Sequence, residues 1–408
     1  MGTIIMGIMI PRSEAEELRE PGWFLIFGRR KTGKSFMVRH MVDYDRYFFV
    51  TRGGAVIQSE GFELLPYKVF LERFRGLLRE RITLVVDEFQ RLPEEFLDVL
   101  HHLRTTSRAK VLLIGSSMSV ARRMLERRSP LVGIVRPVRI GLIDPRDILK
   151  APLNMKAEDL LRIAPYIRDP WILEFVSPES FSMERVVKVI RYSVRALVGE
   201  VFSEEDRVLT DRYEMILRAL SLGNSTPGEV ASYISGLVDE RLKSQDVKSY
   251  LANLVGMGIV ERVKVRGRRR YIYRIESPLV DLFYYLDSKL GFQEVEVPLE
   301  ELVRLAEVKA GAYYEDFIVK LLAEVLGGRA EKSLDPEVDG IIVRGGEILA
   351  AVEVKLGQIT RSEVRKFLER TPGCRRIVVA REGPEVGEMK LLTPEDLVRI
   401  ARGGTCAF

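Results

Sequence analysis

The sequence predicts an α/β protein. A parallel sheet comes first, then a helical lid, then three helices and a hairpin, then a smaller α/β unit. Three observations lead there. Short apolar runs rich in β-branched and aromatic residues alternate with amphipathic stretches from residue 22 to about 150. A glycine-bounded basic loop directly follows the first run. Near the carboxyl end, two apolar stretches meet across Gly345-Gly346, a tight-hairpin signal.

The first block, 1–150, holds the runs Trp23–Phe27, Tyr47–Val50, Ile82–Val86 and Val111–Ile114. Each is short and bounded by turn or charged residues, as expected of strands buried on both faces. Residues 151–204 carry helical periodicity and form the lid. Residues 205–290 read as three helices and a hairpin. Residues 300–408 read helix, hairpin, helix, strand, helix. At roughly 150 residues per domain, 408 residues suit two or three domains.

Gly28-Arg29-Arg30-Lys31-Thr32-Gly33-Lys34-Ser35 fits G-x-x-x-x-G-K-S/T between a strand and a helix. Gly28 and Gly33 let backbone N–H groups turn inward around phosphate oxygens. Lys34 can reach the β- and γ-phosphates. The Ser35 hydroxyl suits Mg2+ at a helix N-terminus that also favours anions.

The run Ile82–Val86 ends in Asp87-Glu88, at the strand end where open α/β sheets bind ligands. Asp87 is the expected second magnesium residue, and Glu88 the residue that orients and polarises the attacking water. The run Val111–Ile114 ends in Gly115-Ser116-Ser117, where a hydroxyl can touch that water or the γ-phosphate.

The phosphate loop, the Val-Val-Asp-Glu-Phe-Gln strand and the Leu-Ile-Gly-Ser-Ser strand resemble the archaeal branch of AAA+ ATPases, relatives of signal-transduction NTPases. Arg12–Leu18 is similar to that family's leading arginine–glutamate motif. The resemblance covers about residues 10–290. It implies a P-loop NTPase using ATP/ADP and Mg2+, with Lys34, Glu88 and Ser116 catalytic and Ser117 as the second sensor candidate. It also implies a homo-oligomer. Two features depart from the family. Ile134, not an arginine, follows Ser129–Gly133, leaving Arg128 and Arg136 nearest. Ala164–Trp171 matches the sensor-2 turn poorly. From Arg104 to Arg139 the chain is very basic, with Glu126 its one acid; this suits a solvated face or a phosphate-backbone track.

Thr226-Pro227 starts one helix, and Ser244 is read as the cap of the next. Ile259–Val265 and Tyr271–Ile275 follow, joined by Arg266-Gly267-Arg268-Arg269-Arg270. The order resembles a winged helix-turn-helix. That implies DNA contact through Gln245, Lys248, Ser249 and Asn253 in a major groove, and through Arg266, Arg268, Arg269 and Arg270 on phosphates.

In the last block, Glu353 and Lys355 are two apart on one strand and share a face; the hairpin brings Asp339 near it. Ala312–Leu326 reads as an amphipathic helix carrying Glu315. The set resembles the PD-(D/E)xK nuclease fold. The resemblance implies a second divalent metal site on Asp339 and Glu353, with Lys355 polarising water or phosphate and Glu315 completing the acidic cluster. The order of elements favours this fold over a solvent-face Glu–Lys pair on a structural hairpin, but it does not favour cleavage over a degenerate copy that only binds.

Composition bounds the rest. With 46% hydrophobic and 30% charged residues the chain can bury a core. Two cysteines, Cys374 and Cys406, exclude a disulfide framework, and three histidines exclude a His-rich metal centre. Thr3–Ile10 is too short to span a bilayer. The expectation is a cytoplasmic, membrane-free protein, and scarce amides among many charges suit a thermophile. The functional expectation is an ATPase acting on DNA, with a metal-dependent nuclease as a further activity. The alternative is a nucleotide switch with a nuclease-like module that only binds.

Overall fold

A computed structural model describes residues 9–125, 129, 131–238, 241–335 and 337–404. The expectations placed on Glu126, Arg128, Pro130 and Cys406 lie outside the described residues, as does most of the Thr3–Ile10 run.

The first block contains α1 (Glu14–Glu17), β1 (Trp23–Phe27), α2 (Lys34–Met41), β2 (Arg46–Val50), β3 (Val56–Gln58), β4 (Glu63–Leu65) and α3 (Tyr67–Leu77). β5 (Thr83–Asp87), α4 (Glu95–Leu103), β6 (Lys110–Gly115), α5 (Met118–Leu125) and β7 (Val135–Arg139) complete it. The seven strands lie in the order β4-β3-β2-β5-β6-β1-β7. Neighbours from β2 to β7 are parallel, while β3 and β4 add an antiparallel hairpin at one edge.

Alternation along each strand divides the core. Trp23 and Leu25 of β1 pack with Phe70, Phe74, Phe96 and Leu100 of α3 and α4, whereas Phe24 and Ile26 pack with Met37 and Val38 of α2. The result is three layers, helix–sheet–helix. At the end of β1, a Cβ on Gly28 would lie 2.0 Å from the Ile140 carbonyl oxygen, so only glycine fits where the loop leaves the sheet.

Next come α6 (Pro145–Lys150), α7 (Ala157–Ile167) and the 22-residue α8 (Met183–Glu204). The third segment holds α9 (Asp211–Ser221), α10 (Pro227–Ser235), α11 (Ser244–Gly256), β8 (Val260–Lys264), β9 (Tyr271–Ile275) and α12 (Pro278–Leu290). Thr226 caps α10 in a full capping box. Ser244 is not the cap of α11: Lys243 takes that position, and its backbone N–H is satisfied by Asp246.

The final block is α13 (Leu299–Val325), β10 (Arg329–Leu334), β11 (Glu337–Arg344), β12 (Glu347–Val354), α14 (Arg361–Arg370), β13 (Arg376–Val379), β14 (Lys390–Leu392) and α15 (Pro394–Ala401). Its sheet order is β10-β11-β12-β13-β14, antiparallel across the first three strands and parallel beyond. The helix expected at Ala312–Leu326 begins far earlier, at Leu299. One apolar core runs from the lid through α12 and α13 to the near face of this sheet.

α13 lies close enough to β11 that a Cβ on Gly340 would meet Val319 Cγ1 at 2.4 Å. Gly340→Ala should therefore lower stability by about 1–3 kcal/mol through overpacking. Thermal unfolding checks this; an unchanged melting temperature would mean that α13 can retreat from β11 freely.

Candidate nucleotide site, basic hairpin and carboxyl-terminal face

β5, β6 and β1 are adjacent, with Asp87 opposite Ile114 and Phe27 opposite Gly115. Their carboxyl ends therefore bring together the loop Gly28–Ser35, the acids Asp87 and Glu88, and Ser116.

The loop turns through left-handed backbone at Lys31 (φ 66°) and Gly33 (φ 86°) before α2 begins at Lys34. Lys34 is buried, and its ammonium donates to the carbonyls of Gly28 (3.0 Å) and Arg29 (2.9 Å). Burial pulls its pKa down to about 8, against the opposing pull of Glu88 and Asp87. Thr32 Oγ1 donates to the Arg29 carbonyl at 3.0 Å. Ser35 stands half-buried in the first turn of α2.

Asp87 is buried, accepting the Tyr47 hydroxyl at 2.5 Å and the Glu88 backbone N–H at 3.0 Å. Glu88 itself is left-handed, φ 58°, an unfavourable state for a non-glycine residue. That turn aims its Oε2 at Gln90 Nε2 (2.6 Å), Ser116 Oγ (3.0 Å) and Arg91 Nη2 (3.3 Å). Ser35 and Asp87 are both oxygen donors at neighbouring element ends, a pairing that suits a hard cation such as Mg2+.

Three of the loop's four basic residues, Arg29, Arg30 and Lys31, turn to the lid. Arg29 is buried against Asp169 at 2.6 Å. Arg30 faces Glu200 and Glu204, each at 2.7 Å, and Lys31 faces Glu174 at 3.4 Å. Sequence reasoning assigned no role to Tyr47, Gln90, Arg91, Asp169 or Glu204. Gln90 lies inside the quoted Val-Val-Asp-Glu-Phe-Gln strand end, but its bond to Glu88 depends on the left-handed turn between them.

The carboxyl-terminal set lies around the β11–β12 hairpin. Continuing the β11–β12 register one step places Asp339 opposite Glu353, on the face toward α14. Asp339 Oδ2 accepts the Val354 N–H at 2.7 Å, and Lys355 pairs with Glu353 at 3.4 Å. Among the described residues, no group of three or more His, Cys, Asp or Glu side chains is arranged to hold a metal. Glu315, Asp339 and Glu353 are three carboxylates within electrostatic range of one another. Two of them have local partners. Burial, with Asp339 next, pushes Glu315 up to about 7, opposed by Lys332 and Lys355. Burial and Asp339 also raise Glu353.

The DNA-contact residues divide. Gln245, Lys248 and Ser249 are exposed on α11, and Lys248 donates to Gln245 at 3.3 Å. Asn253 is not presented outward: it donates to the Tyr213 hydroxyl at 2.9 Å, because it lies on the side of α11 that packs on α9. Arg266 is partly consumed too. Its backbone N–H donates to the Lys332 carbonyl at 2.9 Å, and its guanidinium donates to the Gly346 carbonyl at 3.3 Å. Arg268, Arg269 and Arg270 are exposed at the hairpin tip. Within the basic stretch, Arg122 donates to the Gly256 carbonyl at 3.3 Å, and Arg104 lies over the Trp23 ring at 5.3 Å.

Residues 20–142 match the family model of the AAA domain. That segment spans every element of the nucleotide site described above except the lid acids, and its parallel-rich sheet is consistent with a P-loop NTPase. The chain is 25% identical over 325 residues to uncharacterized protein MJECL04 of Methanocaldococcus jannaschii, covering 71% of this chain and 68% of that one. Solved structures similar to it include the Walker-type ATPase PABY2304 of Pyrococcus abyssi, at 16% identity and a TM-score of 0.47. That match covers 68% of this chain and 96% of the other. ORC2 of Aeropyrum pernix follows at 15% identity and a TM-score of 0.40, covering 74% and 94%. The STAND protein PH0952 of Pyrococcus horikoshii matches at 14% identity and a TM-score of 0.31, covering 78% and 50%. Among the described residues, no helix is long and apolar enough to cross a membrane.

The raised Glu315 carboxyl has a consequence for stability. Its folded pKa of about 7 exceeds the ordinary 4.5, so the folded state holds more protons between those values. Stability from this group is present below about pH 4.5 and lost as pH rises toward 7. Glu315→Gln should raise the melting temperature at pH 8, by about 1 kcal/mol of stability after allowing for solvent screening, and change little at pH 4.5. Equal shifts at both pH values would exclude a charge effect.

Proposed function

We propose that this chain is a magnesium-dependent ATPase whose nucleotide cycle acts on DNA. The observation that carries this is the meeting of Lys34, Ser35, Asp87, Glu88 and Ser116 at three adjoining strand ends. In this reading the phosphate loop's N–H groups and Lys34 bind the β- and γ-phosphates. The remaining loop residues Gly28, Arg29, Arg30, Lys31, Thr32 and Gly33 shape and charge the turn. Ser35 and Asp87 hold Mg2+, which neutralises charge on the phosphates when bound. Glu88 orients and deprotonates the attacking water, and Ser116 contacts the γ-phosphate. Lys34 already lies between carbonyls in a water-poor setting, so phosphate oxygens would replace its present partners without further desolvation.

The DNA part of the proposal draws on the third segment, read as a winged helix-turn-helix. Its hairpin tip presents Arg268, Arg269 and Arg270 to solvent, and α11 presents Gln245 and Lys248. The bridge between Val265 and Lys332 sets that tip beside β10, and Lys332 in turn acts on Glu315. A phosphate backbone following the arginines would thus approach Glu315 and, through it, the electrostatic group of Asp339, Glu353 and Lys355.

For that face, a PD-(D/E)xK-like module that binds nucleic acid or a partner is the reading favoured over cutting. The Val354 N–H occupies Asp339 Oδ2, and Lys355 neutralises Glu353. A second divalent metal would rest there on the opposed carboxylates of Asp339 and Glu353. A nucleotide switch that regulates such binding is the corresponding second reading of the whole chain.

Two experiments test the proposal. Glu88→Gln should keep ATP affinity within about threefold and lower kcat by about 100-fold or more, since only the carboxylate is lost. A parallel fall in affinity and kcat would make Glu88 a structural residue. DNA affinity should fall with salt; replacing Arg268, Arg269 and Arg270 with alanine should flatten the log–log slope by up to about 2.7. An unchanged slope would remove the hairpin from the DNA contact.

A further inference from the structure

The carboxylate of Glu204, at the last residue of α8, enters the nucleotide site from the lid. Its Oε1 accepts from Arg30 Nη1 of the phosphate loop at 2.7 Å. Its Oε2 lies 3.0 Å from the Ser116 hydroxyl, and Arg91 stands 3.8 Å from Oε1. The side chain is 18% exposed. Glu204 also acts electrostatically on Lys34, favouring the charged ammonium. An acid from a distant helix thus meets the groups on which a γ-phosphate would rest: a loop arginine, the hydroxyl at the end of β6, and an arginine beside Glu88.

Three further contacts show that the position is built. Glu200, one turn earlier on α8, pairs with Arg30 at 2.7 Å. Glu205, just beyond α8, accepts the backbone N–H groups of Met118 and of Ser119, the latter at 2.9 Å, at the start of α5. The end of α8 is therefore held on both sides of Ser116.

The Ser116 hydroxyl has one proton, yet Glu88 Oε2 and Glu204 Oε2 each lie 3.0 Å from it. Two carboxylates around one donor are tolerated because Arg30 and Arg91 stand beside them. A terminal phosphate would add two further negative charges among the same partners. Like charges at such separation repel strongly where water is sparse.

We infer that Glu204 is a stand-in for the γ-phosphate: it makes the site selective for nucleoside diphosphate over triphosphate, so that triphosphate binding requires the end of α8 to leave. A diphosphate reaches Lys34 and the loop N–H groups without displacing Glu204. A triphosphate must break the contacts to Arg30 and Ser116. Because Glu205 and Glu200 belong to the same helix end, they leave together and release the start of α5. The inference rests on the nucleotide-binding reading above and names what sets its preference.

The test is calorimetric binding of ADP and of a non-hydrolysable ATP analogue, both with Mg2+, to the full chain and to Glu204→Ala and Glu204→Gln. Wild type should prefer ADP. Both variants should tighten the triphosphate analogue by about tenfold while ADP affinity changes less than about twofold. ADP binding doubles as the check that each variant is folded. In wild type, the triphosphate analogue should also raise amide exchange at Met118 and Ser119, whereas ADP should not. An unchanged ADP-to-triphosphate ratio in the variants, or triphosphate weakened along with ADP, overturns the inference, as does retained protection at Met118 and Ser119. If wild type binds neither nucleotide, the nucleotide reading itself fails, and this inference falls with it.

Discussion

Three consecutive cations in a phosphate-binding turn repel one another, and a lid supplies a carboxylate for each. Arg29 meets Asp169, Arg30 meets Glu200 and Glu204, and Lys31 meets Glu174. These pairings differ in weight. Lys31 and Glu174 are exposed, and such a pair contributes about 0–1 kcal/mol. Arg29 and Asp169 are almost wholly buried, where removing one partner costs about 3–5 kcal/mol because the other charge is stranded. Asp169 Oδ2 also accepts the Ser277 hydroxyl at 2.7 Å, and Ser277 caps α12. One carboxylate thereby fixes the phosphate loop, the lid and the helix after the hairpin in a single arrangement.

A second, half-buried ionic group continues the connection. Arg274 on β9 pairs with Glu261 on β8 at 2.7 Å and with Asp316 on α13 at 2.5 Å, and Lys320 reaches Glu261 and Asp316 at 2.8 and 3.0 Å. Two acids and two bases alternate, so each charge has opposite neighbours. Their mutual attraction offsets the partial desolvation of half-buried ions. Apolar packing along α13 holds the modules together; the ionic group fixes their register. Asp316 follows Glu315 directly, so a shift of the hairpin would be felt at the carboxyl-terminal face.

Much of this was legible locally. β1, β2, β5 and β6 are buried on both faces, and such strands must read as unbroken apolar runs. The loop, Asp87, Glu88 and Ser116 were legible for the same reason: each follows one of those runs. β7 was not, because Val-Arg-Pro-Val-Arg shows two exposed faces to the sequence reader. It is an edge strand, where Pro137 costs no ladder bond. β10 was hidden by its charges, since its buried Glu331 is matched by Lys264 and Arg329 only after folding. The lid acids were invisible on principle. Asp169 and Glu204 lie 140 and 174 positions from their arginine partners, and no local pattern marks such a pairing.

The same distinction explains why the basic hairpin could be read only in part. Its arginines were counted as one group because they are adjacent in sequence. In the fold, Val265 bridges to Lys332 at the open edge of β10, and that contact turns Arg266 toward Gly346 and Glu331 while the next three arginines stay free. An open sheet edge is a template for unwanted pairing, and a charged hairpin laid against it removes part of that edge from solvent. The cation nearest the sheet is therefore structural, and those farther along the turn are the ones with charge to offer a partner. Adjacent like residues thus acquire different roles from one backbone bridge, a division set by topology and not by composition.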